Sequence, residues 1–397
     1  MPRILLEEKD VDINFQQAEL KKRRDVLRDT LTKLDNEEKR SHYRSAAQAN
    51  LQRWKKAASI PSASRVRVLQ GDWGDITLQL TKEEGQIYAV LNMANAYTPG
   101  GGYLEGLIAQ EENMYRRTDC HFFISDDEMN AEKTRYTKEM TTLINGEEGK
   151  VYLDTTTPRV CIKGKETTQA MGYEDLGNDN YFLFYELRSA ADDLRGGHLF
   201  NKESMRKKIA AQLDTLKSHG IRHVVLSAFG CGAFNNPPEE VAALYREELE
   251  KRPDQFDSVV FAIYYPGYGK DNYTPFSQIL HDLPLTSTQQ KENLNLATLL
   301  ETIAENLNSK SWDTKGYAVP FFDFRKTPKG IEEMRAVCNK PLDPLSKYKE
   351  LKTIAEFRLA HPPLFTKRDN SVRDLYLHIV EIDLNELNES VIASFQF

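Results

Sequence analysis

Short apolar runs alternate with helical segments through the middle of this 397-residue chain, and this alternation restricts the fold more than any other feature. The runs are rich in β-branched and aromatic residues and are bounded by polar or glycine-containing stretches, which is typical of buried strands. Helical periodicity lies between several of them, as in Glu203 to Ser218 and Glu239 to Leu249. This alternation predicts an α/β fold in which helices cover both faces of one mixed sheet, as three α/β/α layers. The apolar runs begin at Arg65, Ile87, Arg159, Tyr181, His223 and Ser258.

The two ends of the chain differ from this middle part. Residues 1–60 repeat apolar positions at three- and four-residue spacing among dense charges, which predicts a helical N-terminal arm. Beyond about residue 286, helical patterns run from Gln289 to Asn308 and from Leu345 to Leu359, whereas Leu375 to Ile382 alternates like a strand. We therefore expect an arm over 1–60, a ligand-binding or catalytic domain over 61–285, and a mainly helical C-terminal appendage over 286–397.

The charge balance narrows the class of partner. The chain has 53 Lys and Arg against 60 Asp and Glu, for a net charge of −7. An acidic balance without long basic blocks argues against binding duplex nucleic acid, which depends on phosphate neutralisation. No run approaches the ~18 apolar residues of a membrane helix, and the first residues lack the apolar core of a signal peptide. We expect a cytoplasmic protein without a membrane partner; export into a host cell is the alternative.

The cysteines and histidines give no metal signature. Cys120, Cys161, Cys231 and Cys338 are too few and too far apart for a disulfide framework or a CxxC pair. The histidines include no HExxH motif. We therefore expect reduced thiols, no metal site and no cofactor.

Three consecutive glycines, Gly100, Gly101 and Gly102, follow the second apolar run, and Gln110-Glu111-Glu112 comes after a further seven residues. Because such glycines cost conformational entropy, they are expected where the backbone must approach another group closely. Adjacent glutamates would place carboxylates beside that group, and like charges raise the pKa of one of them, which suits a general acid. For the glycines alone, a flexible turn before an acidic helix start is the alternative.

A second glycine-containing loop runs from Gly230 to Phe234, after the fifth run and before a helix. Such a loop presents backbone N–H groups to an anion, and the helix N-terminus adds favourable charge, so a diphosphate would fit. A plain strand-to-helix turn is the alternative. Cys231 has no evident His and acid partner, so we expect a buried thiol rather than a nucleophile.

The two motifs together resemble the poly(ADP-ribose) glycohydrolases, whose signature is GGG followed after six to eight residues by QEE. The sequence is most similar to the bacterial-type branch, a family with the macrodomain fold. The surroundings agree, since Leu91 to Asn95 and Pro99 precede the glycines and Tyr103 to Gly106 follow them. The resemblance covers about Arg40 to Tyr265. It implies a macrodomain-like sheet and hydrolysis of the ribosyl glycosidic bond in ADP-ribose conjugates.

The same resemblance implies a role for each motif residue. Glu112 would protonate the leaving oxygen and then activate water, while Glu111 would hold ribose hydroxyls. Asn95 would contact the distal ribose, and Phe234 would wall the terminal ribose. Asn92 stands where animal members tend to carry Asp, which puts a third acidic contributor in doubt. The other implied positions are Asp72 at the adenine amino group, with a plain turn as its alternative, Gln110 bracing the loop, Gly100, Gly101 and Gly102 against the diphosphate and ribose, and Gly230, Cys231, Gly232 and Ala233 around the diphosphate.

Other functions stay open at this stage. One is a mono-ADP-ribosyl-protein hydrolase without activity on the polymer, and another is a non-catalytic ADP-ribose reader, which the intact Gln-Glu-Glu disfavours. The appendage could bind a protein partner. Its aromatic run, Tyr317 to Arg325, could cover the mouth of the site or grip a protein substrate, but closing a small core is the better interpretation.

Overall fold

The computed structural model describes residues 2–58, 64–167, 170–265, 267, 269–314, 327–362, 370–384, 387 and 392. The chain divides into two compact units, Met1–Leu285 and Thr286–Phe397. None of the helices in the described ranges combines the length and the apolar composition needed to cross a membrane. The aromatic run from Tyr317 to Arg325 lies outside the described residues.

Helices and strands alternate through most of the first unit. The described helices are α1 Pro2–Lys33, α2 Glu37–Ala57, α3 Trp73–Glu84, α4 Gln110–Arg117, α5 Lys138–Ile144, α6 Lys202–Ser218, α7 Pro238–Glu250 and α8 Tyr273–Leu280. The described strands are β1 Val66–Gln70, β2 Tyr88–Met93, β3 Tyr152–Leu153, β4 Arg159–Cys161, β5 Phe182–Ser189, β6 His223–Leu226 and β7 Ser258–Ile263. Short 3₁₀ turns lie at Cys120–Phe123 and Asp126–Glu128.

The strands form one seven-stranded sheet with the order β1-β7-β6-β2-β5-β3, and β4 also pairs with β5. The first five strands in that order are parallel, whereas β3 and β4 run antiparallel to β5. The sheet is therefore mixed, which confirms the predicted fold class. Because the five parallel strands point the same way, their carboxyl ends meet at one edge of the sheet.

Alternating side chains of the strands bury two separate cores, one on each face of the sheet. On β2, Ala89 and Leu91 pack in the core that contains α6, α7 and α8. Tyr88 and Val90 point to the opposite face and pack in the core with Leu27 of α1 and residues of α2, α3 and α4. Helices thus cover both faces, as the three-layer prediction requires.

The two N-terminal helices pack into the sheet domain. Leu27 of α1 and Trp54 of α2 are buried in the same core as Val90 of β2. Both helices lie within the first compact unit.

The second unit is helical and has a core of its own. Its described helices are α9 Ser287–Asn308, α10 Lys329–Cys338, α11 Pro344–Ala360 and α12 Asn370–Glu381, with a 3₁₀ turn at Lys310–Thr314. The predicted strand over Leu375 to Ile382 is wrong, because α12 occupies most of that segment. Its buried residues Leu375, Tyr376, Ile379 and Ile382 follow helical spacing and join the core of α9, α10 and α11.

Candidate active site

The two glycine-containing loops leave neighbouring strands at the same edge of the sheet. The loop carrying Gly100, Gly101 and Gly102 follows β2, and the Gly230 to Phe234 loop follows β6. These strands are parallel partners, with Ala89 beside Val224. Crevices at the carboxyl ends of parallel strands are the usual ligand sites of α/β sheets. Both predicted motifs therefore begin at the carboxyl ends of neighbouring strands.

The glycine loop holds the two glutamates through its backbone. Gly100 N–H donates to Glu111 Oε1 at 3.0 Å, and Gly102 N–H donates to Glu112 Oε1 at 3.0 Å. Asn95 N–H donates to the other Glu111 oxygen at 2.7 Å. Gly101 has a positive φ of 57°, and a Cβ there would lie 2.5 Å from Glu112 Oε1. Glycine is thus required because the backbone packs directly on the carboxyl groups.

Gln110 ties the start of α4 to the end of β2. Its Oε1 accepts from Met93 N–H at 3.0 Å, and its Nε2 donates to Leu91 O at 2.8 Å. These bonds set the position of the helix turn that carries Glu111 and Glu112. Acidic residues in a first helical turn are also favoured by the helix dipole.

Burial governs the electrostatics of the glutamate pair. Glu111 is 3% exposed, and its burial raises its pKa well above the ordinary value; the nearby Glu112 carboxyl adds to the rise. The N–H groups of Asn95 and Gly100 oppose that shift. The Oε2 atom of Glu112 is buried and has no hydrogen-bond partner among the described residues. The adjacent glutamates predicted a raised pKa for one carboxyl of the pair, and burial raises the pKa of Glu111.

A buried ionic network, which the sequence analysis missed, lies on the strands behind the glutamates. Asn92 donates to Glu186 Oε1 at 2.8 Å, and Arg188 lies 3.0 Å from the same oxygen. Burial opposes ionisation of Glu186, but Arg188 and Arg159 hold its pKa below the usual range. Asn92 thus serves this network. Charged residues inside the apolar run Phe182–Ser189 were the signal for it.

Asp72 caps α3 at the end of β1. Its Oδ1 accepts from Gly74 N–H at 2.9 Å, from Asp75 N–H at 3.2 Å and from Arg117 Nη1 at 2.6 Å. Arg117 is 1% exposed and lies on α4, five residues after Glu112. The ion pair joins the β1 end to α4, and the sequence did not predict it. The adenine contact of Asp72 stays a prediction, with Oδ2 as the oxygen outside these bonds.

The loop after β6 offers three unused backbone donors. Cys231 N–H donates to Ala228 O at 3.0 Å within the turn. No acceptor among the described residues bonds the N–H groups of Gly232, Ala233 or Phe234. A Cβ at Gly232 would meet nothing within 4 Å. Consecutive N–H groups without an acceptor form a concavity that can bind an anion. The candidate donors are therefore Gly232, Ala233 and Phe234, and the N–H group of Cys231 is not among them.

Asn236 fixes the shape of that loop. Its Nδ2 donates to Asp192 O at 2.8 Å and to Gly230 O at 3.0 Å, and its side chain is fully buried. Gly230 has a φ of 73°, which favours glycine, and a Cβ there would lie 2.6 Å from the same Nδ2. Asn236 was missed because its role depends on a contact with the loop after β5.

The cysteines of the first unit are all buried. Cys120, Cys161 and Cys231 are buried free thiols, and Cys338 in the second unit is half-buried. Burial raises the pKa of the Cys231 thiol above its ordinary value. A thiol with a raised pKa is a poor nucleophile at neutral pH, in line with the sequence interpretation.

The structure brings most of the predicted residues together in two groups. In the first group, Asn95 and Gly100 bond Glu111, Gly102 bonds Glu112, and Gln110 bonds the end of β2. Asn95 Oδ1 also accepts from the N–H groups of Tyr97 and Thr98, each at 2.9 Å, which shapes the turn before the glycines. The second group is the loop after β6, and Asp72 lies at the end of the edge strand β1. Within the described ranges, no group of three or more His, Cys, Asp and Glu side chains has metal-site geometry.

Comparisons with solved structures return bacterial poly(ADP-ribose) glycohydrolases. The Thermomonospora curvata enzyme bound to the inhibitor ADP-HPD shares 21% identity with a TM-score of 0.42, covering 64% of this chain and 98% of that chain. A second structure from that organism shares 22% identity with a TM-score of 0.44, covering 65% of this chain and 99% of that chain. The Deinococcus radiodurans enzyme in complex with ADP-ribose shares 19% identity with a TM-score of 0.39, covering 59% of this chain and 90% of that chain. Since each TM-score is below 0.5, none of them assigns a role to a residue of this chain.

The family comparison is tied to particular residues. No curated protein matches the chain at a significant level. Residues 5–147 match the family model of the microbial-type PARG catalytic domain. This span begins in α1 and includes the glycine loop and all of α4, whereas the loop after β6 lies outside it. The match confirms the resemblance inferred from the motifs: residues 5–147 of this chain are similar to the catalytic domain of the microbial-type poly(ADP-ribose) glycohydrolases (PARG).

Proposed function

We propose that this protein is a hydrolase that cleaves the ribosyl glycosidic bond of ADP-ribose conjugates, with Glu112 as the acid and base. The observation that carries the proposal is the state of the Glu112 carboxyl. Gly102 N–H fixes one oxygen at 3.0 Å, while the other has no hydrogen-bond partner in the part of the chain that the structure describes. A carboxyl that is held at one oxygen and free at the other suits proton transfer at a defined point.

The reaction requires a proton on the leaving oxygen and then a water molecule activated at the same place. Glu112 supplies the proton as the bond to the ribose carbon breaks, and its carboxylate then takes a proton from the attacking water. Glycosidases commonly divide these tasks between carboxylates on opposite faces of the sugar. Here both glutamates lie on one helix turn, so the positive charge of the transition state must be stabilised from the ligand side, by the diphosphate and hydroxyl contacts.

Glu111 has a different part in this scheme. Its two oxygens accept the N–H groups of Asn95 and Gly100, which fixes the glycine loop around the carboxyl pair. Because burial raises its pKa, a neutral Glu111 would remove like-charge repulsion beside Glu112. The remaining lone pairs would accept ribose hydroxyls.

The rest of the ligand is assigned along the same sheet edge. The free N–H groups of Gly232, Ala233 and Phe234 would bind the diphosphate. Asp72 would accept from the adenine amino group through Oδ2, and Asn95 would contact the distal ribose. The Phe234 ring, over which Arg195 lies at 5.0 Å, would wall the terminal ribose.

Three expectations stay predictions. The first is cleavage of mono-ADP-ribosylated protein, which is compatible with the same carboxyl geometry. A non-catalytic reader is disfavoured, because binding alone does not require a fixed glutamate pair. A protein partner for residues 286–397 is the second prediction; these residues bury an independent core that includes Leu299, Ile303 and Leu351. A cytoplasmic location is the third.

The deciding experiment combines product analysis with one substitution. The protein is incubated with poly(ADP-ribose) and, separately, with proteins carrying mono-ADP-ribose through defined linkages, and the release of free ADP-ribose is measured. Glu112→Gln keeps the shape of the side chain but cannot donate the proton, so we expect turnover to fall by about 10²–10⁴-fold. ADP-ribose affinity, measured by calorimetry, should stay within a few-fold. A Glu112→Gln protein with most of its turnover would contradict the assignment.

A further inference from the structure

The N-terminal helix is fixed against the catalytic loop. Leu20 O lies 2.4 Å from the point where a Gly106 Cβ would stand, so α1 touches the turn between the glycines and α4. Thr30 Oγ1 donates to Arg116 O at 2.6 Å, on the helix that carries Glu112. Arg23 adds a buried ion pair to Glu166 at 2.8 Å. These contacts hold a rigid helix beside the site.

The outward side of the same helix carries unpaired positive charge. Lys21, Lys22 and Arg24 are exposed, and none forms an ion pair or hydrogen bond with another described residue. They begin at the residue after Leu20, within about one turn of the contact with the catalytic loop. Arg28, one turn further, is exposed and paired with Asp25 at 2.9 Å. We call Lys21, Lys22 and Arg24 the α1 cation cluster.

The acids near this cluster do not cancel its charge. Glu19 is paired with Arg23 at 3.1 Å. Asp29 lies beside Lys163 and Lys33, which hold its pKa below the usual range despite partial burial. Glu105 is exposed on the contacting turn and has no ion-pair partner among the described residues. Among the described side chains of this region, three cations without an ion-pair partner therefore stand against one such acid.

We propose that the α1 cation cluster binds the phosphates of a poly(ADP-ribose) chain outside the unit being cleaved. The inference rests on the proposed function and deepens it. Each repeat of the polymer carries a diphosphate, so an extended chain leaving the site is a regular polyanion. Unpaired Lys and Arg on a fixed helix attract such a chain, and the attraction weakens as salt rises. A mono-ADP-ribosylated protein has no further diphosphates to offer, so the cluster selects the polymer.

Two lysines near the amino ends of the parallel strands, away from the glycine loop, provide a matched control. Lys55 and Lys56 are exposed at the end of α2 and, like the cluster, have no ion-pair partner among the described residues. The Cα of Lys55 lies 2.5 Å from where a Gly85 Cβ would stand, and Gly85 precedes the amino end of β2. Reversing these two charges alters net charge as much as reversing two in the cluster.

The test compares Lys21→Glu/Arg24→Glu with Lys55→Glu/Lys56→Glu in the full chain. At about 20 mM salt, we expect KM for poly(ADP-ribose) to rise about tenfold in the first variant only, and this difference to shrink at about 150 mM. Turnover at saturation, cleavage of mono-ADP-ribosylated protein and thermal unfolding should match the wild type. Equal losses on both substrates, equal losses in the control, or unchanged KM for the polymer would each overturn the proposal.

A binding measurement separates this proposal from the proposed function. In a Glu112→Gln background, affinity for a polymer of defined length is measured by fluorescence anisotropy, with ADP-ribose monomer as reference. The cluster variant should bind the polymer about tenfold more weakly at low salt, with unchanged monomer affinity. If wild-type protein cleaves neither substrate, the proposed function is wrong. The anisotropy measurement would still show whether the α1 cation cluster binds the polymer. Equal competition by a single-stranded oligonucleotide of the same charge would overturn the assignment to ADP-ribose polymer.

Discussion

At the residue scale, the contacts of Gly232 and Cys231 separate a backbone role from a side-chain role. A Cβ at Gly232 meets no protein atom, so Gly232→Val should fold normally while its branched side chain fills the space in front of the free N–H groups. We expect ADP-ribose affinity to fall about tenfold or more, which corresponds to ~1.4 kcal/mol per tenfold.

Cys231→Ala is the matched change at the neighbouring position. Its thiol is buried and its N–H is used inside the turn, so we expect affinity and turnover close to those of the wild type. Calorimetric titration of both folded variants with ADP-ribose makes the comparison. Unchanged affinity in Gly232→Val would show a purely structural loop, and an inactive Cys231→Ala would give the thiol a chemical part.

At the scale of single elements, the glycine loop and α4 act as one piece, and Gly101→Ala tests that unity. The new methyl group would stand 2.5 Å from Glu112 Oε1 and must displace the carboxyl. Since small misplacements of a reacting group are costly, we expect turnover to fall about 100-fold. Gly149→Ala is the control, because its φ is also positive, at 73°, and its Cβ would meet nothing within 4 Å. Equal effects in assays of turnover would mean that backbone strain alone is responsible.

Asp119, at the junction between α4 and β4, should make the free energy of unfolding depend on pH. Asp119 is fully buried, its Oδ1 accepts from Val160 N–H at 2.8 Å, and burial raises its pKa to about 6. Because this pKa lies above the unfolded value, the associated stability is present at low pH and is lost as pH rises through about 4 to 6. Asp119→Asn should therefore stabilise the protein by about 1–3 kcal/mol at pH 7.5 and by little at pH 4. Denaturant unfolding at both pH values measures the difference, and a variant that is less stable at pH 7.5 would contradict the sign.

The order of strands and helices was predictable because each one depends on local periodicity. All six apolar runs are strands, and the backbone of the glycine loop bonds the two glutamates that follow it in sequence. The segment around Leu375 failed because its alternation is short and its apolar residues also fit a helix, so the choice depended on packing against α9 and α11. Two contacts could not be predicted, because each joins segments far apart in sequence: the ion pair of Asp72 with Arg117 and the hydrogen bond of Asn236 to Asp192 O.

At the scale of the whole molecule, the first unit should function without the second. The units separate at Leu285, and each has its own buried core. We expect a chain ending at Leu285 to fold and to release ADP-ribose at a rate within a few-fold of the full chain. The free energy of unfolding and the turnover of both forms provide the measurement. A truncated protein that folds but has lost turnover would assign residues 286–397 a direct part in catalysis.

The burial of every cysteine in the first unit makes this domain suitable for oriented attachment to a sensor surface. A single Lys217→Cys change, at the exposed end of α6 before the amino end of β6, would add one reactive thiol opposite the glycine loop. In a chain ending at Leu285, maleimide chemistry would then couple the protein at one point. Every immobilised molecule would present the carboxyl edge of its sheet to the solution, so bound ADP-ribose could be counted on a uniform layer.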